Sequence, residues 1–184
     1  MEDKQKKKRG RAAKAELYVP SAGGGYRYIG GYYKYAEEQK LSWQRSAVIR
    51  LALGAAVLLM SLGCGLLQAP GMRNSFYVIL PYAAEFVCAI ALLWAACRAW
   101  YHGDEPKEYV YNATIVRLGG LTVFQAVLSG ITAIGEVIFV ILQGTDGCGV
   151  FEALAFPILQ ILVLIAAIIW KLFERKLEWL KKEK

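Results

Sequence analysis

Histidine is almost missing from this chain, and its cysteines are scattered. The 184 residues include one histidine, His102, and four cysteines that form no CxxC pair and no spacing typical of a metal site. A zinc centre needs three or four ligands, which one histidine beside two loop carboxylates cannot supply. We therefore expect no metal and no cofactor.

The sequence motifs of the common enzyme classes are also absent. The chain has no HExxH, no GxSxG, no phosphate-binding loop and no dinucleotide-binding glycine pattern. Its three aspartates fall in the polar tail or in loops, so the sequence contains no intramembrane aspartate pair. A catalytic cysteine would need a base beside it, and the sequence places none there. The chain is predicted not to be an enzyme.

Charge is missing from several long apolar runs. Residues 51–67 and 153–170 contain no charged residue, and the whole chain is 57% hydrophobic with a mean hydropathy of +0.35. About 18 or more apolar residues in succession are typical of a helix that spans a bilayer. The N-terminus lacks the apolar region of a cleavable signal peptide, so the first span is expected to act as the membrane signal.

These runs predict an all-α integral membrane protein, built as a four-transmembrane-helix bundle. Ser42 is the expected N-cap of the first span, and the membrane domain is expected to cover residues 42–170. Arg50 lies near enough to the end of the first span to extend its charge into the interface. The predicted spans cover about 43–67, 76–99, 115–142 and 150–170.

Lysine and arginine alternate from one side of these spans to the other. They number 11 in residues 1–45, one in the first loop (Arg73), two between Arg98 and Asn112, none in the third loop and six from Lys171 onward. The positive-inside rule then puts both termini in the cytoplasm, and the expected location is the plasma (inner) membrane. This distribution accounts for the net charge of +7 without a nucleic-acid partner.

The polar ends of the chain are predicted to lie at the cytoplasmic surface. Residues 1–15 form a disordered basic tail that suits anionic lipids. Residues 16–41 form a Tyr/Gly-rich interfacial segment, with a β-hairpin around Gly30–Gly31, and they suit either the headgroup layer or a docked partner. Residues 171–184 are predicted to extend the fourth span as a basic amphipathic helix.

A polar stripe runs along the predicted third span. Its members recur at steps of three and four residues, which place them on one face of an α-helix. Hydrocarbon cannot solvate such a face, so we expect the other spans to cover it. The stripe therefore predicts that the third span is the central helix of the bundle. Its residues are Thr122, Gln125, Ser129, Thr132 and Glu136.

Three carboxyl groups fall within the predicted spans, at Glu85, Glu136 and Glu152. An ionisable group inside a bilayer is costly and by default indicates function. For Glu85 and Glu136 two interpretations stay open, a hydrogen-bonded structural group or a binding or proton-handling group. Pro81, one turn before Glu85, is expected to kink the second span. Arg73 is the expected counter-ion of Glu152 or Glu136.

Two of the four cysteines, Cys64 and Cys148, are expected near the extracytoplasmic ends of their spans. Oxidation is permitted there, which makes a disulfide between them a hypothesis. The alternative is that all four cysteines are small buried hydrophobic residues.

These features favour a non-enzymatic membrane protein that acts as an accessory, scaffold or regulatory subunit. Its basic ends and tyrosine-rich segment would serve a membrane-protein partner. The alternative is a small proton- or cation-coupled carrier or channel that uses Glu85 and Glu136. Four helices enclose little space, so this alternative requires a homo-oligomer.

Overall fold

The computed structural model describes residues 17–20, 26–36, 41–145 and 149–182. The basic tail predicted for residues 1–15 lies outside the described residues. The described chain forms helices α1 (Trp43–Leu66), α2 (Pro70–Asn74), α3 (Phe76–His102), α4 (Glu108–Ala113), α5 (Ile115–Gln143) and α6 (Val150–Arg175). It also forms four short strands, β1 (Tyr18–Pro20), β2 (Tyr26–Tyr28), β3 (Tyr32–Tyr35) and β4 (Trp179–Lys182).

Four of the helices, α1, α3, α5 and α6, are long and apolar enough to cross a bilayer. The four membrane-spanning helices predicted from the sequence are therefore present. The helices begin where the sequence predicted, but two of them are longer at their C-terminal ends: α3 continues to His102 and α6 to Arg175.

Local signals set several of these helix ends. The Ser42 hydroxyl accepts a hydrogen bond from the Arg45 N–H at 3.4 Å and caps the start of α1, as predicted. Gly103 and Gly144 follow the last residues of α3 and α5 with φ angles of 72° and 78°. Only glycine adopts this left-handed conformation without strain, so both helices stop where a glycine permits the turn.

The four long helices form a ring around a shared interior. Helix α5 packs along α3 and α6, and α1 packs on the same two helices from the other side. The prediction of a central third helix is therefore wrong, because four helices of similar length leave an interior between them rather than a helix. The polar stripe of α5 nevertheless faces that interior, and all five of its side chains are fully buried.

Small residues let the helices approach closely. Helix α3 turns buried alanines inward at Ala89, Ala95, Ala96 and Ala99, while large aliphatic and aromatic side chains cover the outside of the bundle. Lipid solvates those outer side chains as well as a protein core would, so packing in a bilayer depends on close contact between small residues.

The tyrosine-rich segment pairs differently from the predicted hairpin. Strand β2 is antiparallel to β1, and β3 is antiparallel to β4 from the far end of the chain. The predicted hairpin around Gly30–Gly31 is therefore wrong. Gly30 and Gly31 connect β2 of one sheet to β3 of the other and do not form a hairpin turn. Tyr28 is buried, and its phenol lies so close to Gly30 that a Cβ at that position would overlap it.

The C-terminal segment also differs from its prediction. Helix α6 ends at Arg175, and residues 179–182 form β4, so the predicted amphipathic helix over 171–184 is wrong beyond Arg175. The physical reason is Trp179, whose ring lies about edge-on to the rings of Tyr35, Trp43 and Tyr111, with centroids 5.4 to 5.5 Å apart. The fold is mainly helical, with two small sheets, rather than all-α.

These sheets, α4 and the loop at 103–107 form a layer across one end of the bundle, which we call the end layer. Within it, β3 has backbone partners on both sides. One edge of β3 pairs with β4, and the other edge hydrogen-bonds to the loop. There the Tyr33 N–H donates to the Pro106 carbonyl and the Tyr35 N–H donates to the Asp104 carbonyl, each at 3.0 Å. Segments from both ends of the chain therefore lie at the same end of the bundle.

A buried ion pair joins two helices of the bundle directly beneath the end layer. Arg50 of α1 donates to both carboxylate oxygens of Glu174 of α6, at 2.7 and 3.1 Å, and its side chain is completely buried. Its guanidinium carbon lies 5.4 Å from the ring of Trp43 and 5.9 Å from that of Trp179. The expectation that Arg50 extends into the interface is wrong, because Glu174 supplies a carboxylate inside the protein.

Removing one member of this pair is expected to destabilise the fold. Arg50→Met leaves the Glu174 carboxylate without its cation among buried rings, a change that costs about 3–5 kcal/mol in comparable pairs. The double variant Arg50→Met/Glu174→Met leaves no buried charge and should recover most of that loss. Thermal unfolding of the purified protein in detergent measures both.

Lys182→Ala is the matched control, because Lys182 pairs with Glu105 at 3.7 Å on the exposed surface of the same layer. It should change stability by about 1 kcal/mol or less. Equal losses for Lys182→Ala and Arg50→Met would contradict the role given to the buried pair.

Candidate functional site

The polar stripe of α5 contains two kinds of side chain. Its three hydroxyls bond carbonyls of their own helix: Thr122 to Gly119 at 3.1 Å, Ser129 to Gln125 at 2.9 Å and Thr132 to Leu128 at 2.9 Å. Such bonds satisfy the hydroxyl locally and reach no other helix. The cross-helix bonds of the stripe come from Gln125 and Glu136.

Glu85 lies in the interior of the bundle and receives donors from two helices. The Ser61 hydroxyl of α1 donates to Glu85 Oε1 at 2.9 Å, and Gln125 Nε2 of α5 donates to the same oxygen at 3.3 Å. The Tyr82 hydroxyl in turn bonds the Ser61 carbonyl at 2.8 Å. Glu85, Ser61 and Gln125 are all fully buried.

The fourth helix completes this arrangement with Gln160. Its side chain is fully buried beside the Glu85 carboxyl and the Cys64 thiol, although neither of its amide atoms meets the geometry of a hydrogen bond. Glu85 Oε2 and Gln125 Oε1 also lack partners. We call Ser61, Glu85, Gln125 and Gln160 the polar centre, since each of the four long helices contributes one of them.

The polar centre offers oxygen ligands and exchangeable protons but no second charge. In the part of the chain that the structure describes, no lysine or arginine pairs with Glu85, and no group of three His, Cys, Asp or Glu residues could hold a metal ion. One carboxyl group, two carboxamides and a hydroxyl can bind a proton, water or a small cation.

Glu136 has a different partner, the short helix α2. Its Oε1 accepts the Gly71 N–H at 3.0 Å, and a Cβ on Gly71 would overlap its Oε2. The first N–H groups of a helix have no partner within the helix, and a carboxylate there satisfies them. Glu136 thus holds the loop between α1 and α3 against the end of α5.

Glu136 and Glu85 do not share a site. Gln125 contacts Glu85, and Glu136 follows Gln125 by eleven residues on the same helix, which is about 16 Å of rise. A relay through both carboxyl groups, as the carrier interpretation requires, has no support in this geometry.

Glu152 and Arg73 do not form the predicted ion pairs. Glu152 accepts the Gly149 N–H at 3.2 Å and closes the start of its own helix. Arg73 is exposed and donates to Gln68 at 3.4 Å. Among the described residues, Arg73 is therefore not the counter-ion of either glutamate.

Only one of the two cysteines of the predicted disulfide lies among the described residues. Cys64 is a buried free thiol that packs among Ala69, Val78 and Phe156. Its proposed partner, Cys148, lies outside the described residues. Cys88 is also buried and contacts the Leu121 carbonyl at 3.5 Å.

A lysine surrounded by tyrosines is the main polar feature of the end layer. Lys107 donates to the Tyr18 hydroxyl at 3.2 Å, and its ammonium lies 5.0 Å from the rings of Tyr18 and Tyr28. The hydrogen bond to Tyr18 raises the pKa of Lys107 above its ordinary value. This lysine therefore keeps its charge and fixes β1 to the loop before α4.

Comparison of the chain with protein-family models, curated proteins and solved structures found no match.

Two substitutions of Glu136 should separate its shape from its charge. Glu136→Gln keeps an oxygen that accepts the Gly71 N–H, so thermal stability in detergent should stay close to that of the wild type. Glu136→Leu leaves that buried donor unpaired, which costs about 1–3 kcal/mol. A Glu136→Gln variant as unstable as Glu136→Leu would show that the negative charge itself is needed.

Proposed function

We propose that the chain is a non-enzymatic accessory, scaffold or regulatory subunit of a membrane-protein assembly. Both termini face the cytoplasm in this proposal, in the plasma (inner) membrane, and the end layer is the surface that binds the partner. The observation that carries the proposal is the pairing of β3 with β4, which joins segments from the two ends of the chain into one folded surface. Chain ends that served only to flank the membrane helices would not need to pair in this way.

The distribution of charge supports the orientation. The end layer is built from three parts of the chain that are rich in lysine and arginine: residues 1–45 contain 11 of them, residues 98–112 two, and the segment from Lys171 onward six. The loop between α1 and α3, at the other end of the bundle, contains Arg73 alone. Positive loops stay in the cytoplasm during insertion. The end layer is accordingly the cytoplasmic one.

Exposed apolar side chains on this basic layer support partner binding. Tyr26 is 76% exposed, Leu180 61% and Ile29 54%, and none of them belongs to a membrane-spanning helix. Exposed apolar side chains on an otherwise polar surface are typical of interfaces. The expected partner is a membrane protein with an apolar and acidic cytoplasmic surface, together with anionic lipid headgroups beside it.

Photo-cross-linking from the end layer tests this function. With p-benzoylphenylalanine at Tyr26 or Leu180 of the full chain in its native membrane, both positions should form adducts with the same membrane protein. That protein should also co-purify at a fixed ratio in mild detergent without cross-linking.

Phe151 is the matched control, because it is 77% exposed but lies at the opposite end of α6. It should not yield the same adduct. Adducts that differ between Tyr26 and Leu180, or a shared adduct that Phe151 forms equally well, would contradict the proposal.

A further inference from the structure

The sheet formed by β1 and β2 has one face against the protein and one face in the open. Tyr18 lies opposite Tyr28 in the register, and the Lys107 ammonium lies 5.0 Å from both of their rings. These two side chains therefore share the face that packs on the rest of the end layer. Successive side chains of a strand point to opposite faces. Val19 and Arg27, which are opposite each other in the next pair, consequently share the second face.

Ile29 extends this second face just beyond the end of β2. Its N–H donates to the Leu17 carbonyl at 2.9 Å, which continues the antiparallel register by one pair. Val19, Arg27 and Ile29 are all exposed, and we call these three residues the outer face. Side chains that are opposite each other, or two apart along a strand, lie within about 5–7 Å. The outer face thus presents one guanidinium group beside two branched aliphatic side chains.

Arg27 lacks the partner that the lysines of the other sheet have. The three lysines of the sheet of β3 and β4 each lie within 4.0 Å of a glutamate. The pairs are Lys34 and Lys182 with Glu105, and Lys181 with Glu108. Among the residues that the structure describes, no carboxylate pairs with Arg27. Its charge is therefore left for a carboxylate from outside the chain.

The composition of the outer face suits a protein partner rather than a lipid surface. Basic segments that bind anionic lipids contain a cluster of several lysines or arginines, whereas the outer face contains one. Arginine is enriched and lysine is depleted in protein interfaces, and a guanidinium can bind a carboxylate through two parallel hydrogen bonds. We infer that the outer face is the recognition surface of the end layer, where Arg27 binds a carboxylate that the partner protein carries among apolar side chains.

The role of the outer face rests on the proposed function, since it requires a partner at the end layer. Leu180 belongs to the other sheet and lies outside the outer face. An adduct formed from Leu180 therefore reports the complex without altering the outer face. The same adduct separates a failure of the outer face from a failure of the proposed function.

A charge reversal at Arg27 tests this role in the full chain that carries p-benzoylphenylalanine at Leu180. Arg27→Glu should lower the yield of the Leu180 adduct in native membranes by about 10-fold or more, because it puts a negative charge against the partner's carboxylate. The amount of the same protein that co-purifies in mild detergent should fall equally. Thermal stability should not change, since Arg27 is exposed.

Arg45→Glu is the matched control. Arg45 is also exposed and basic, and it lies near the start of α1 at the same end of the bundle. The substitution makes the same change in net charge and should leave both yields close to those of the wild type.

Cross-linking from the outer face itself identifies the contact on the partner. p-Benzoylphenylalanine at Ile29 should form an adduct with the same protein, at a peptide that contains an aspartate or glutamate among apolar residues. Replacing that acidic residue by lysine should restore the Leu180 adduct of Arg27→Glu. A peptide without a carboxylate, or no restoration, would contradict the role of Arg27.

The remaining outcomes decide between the two proposals. An undiminished Leu180 adduct in Arg27→Glu would overturn the role of the outer face and leave the proposed function standing. Equal losses in Arg27→Glu and Arg45→Glu would also overturn that role, because net charge would then be the cause. A loss in membranes but not in detergent would overturn it as well, since Arg27 would then bind lipid headgroups. No Leu180 adduct from the wild type would overturn both proposals.

Discussion

A bilayer offers no water to a polar group that leaves its partner, and this constraint organises the interior of the protein. Each helix brings polar side chains inward, and the structure satisfies them in two ways. The hydroxyls of α5 bond their own backbone, whereas Gln125, Glu136 and Arg50 find partners on other elements. That satisfaction is incomplete around Glu85, and one atom each of Arg50 and Glu136 also lacks a hydrogen-bond partner.

The same constraint explains why the two ends of the chain fold together. Arg50 is held below the surface by Glu174, whose own position depends on α6 continuing past the predicted membrane boundary. Trp170 also donates to Glu174 at 3.1 Å, and Trp179 covers the pair from β4. The end layer thus packs on the long helices and is not a loose appendage, as the partner-binding role proposed for it requires.

The four long helices were largely predictable, because the length and apolarity of each run act locally along the sequence. The burial of the polar stripe also followed from its periodicity. The pairing of β3 with β4 was not predictable, since Trp179 and Leu180 fit an amphipathic helix as well as a strand until the rings they contact are known. Gln160 was missed as a site residue, although a single glutamine in an 18-residue charge-free run was a usable signal.

The central claim is that segments from the two ends of the chain pair over one end of the bundle, and cysteine cross-linking between β3 and β4 tests it most directly. Lys34 and Leu180 are partners in the register, and opposed residues in antiparallel strands lie within disulfide range. In a background without the native cysteines, Lys34→Cys/Leu180→Cys should oxidise rapidly to an intramolecular disulfide, and Lys34→Cys/Leu177→Cys should not. Failure of the first pair to cross-link, or equal rates for both pairs, would contradict the fold of the end layer.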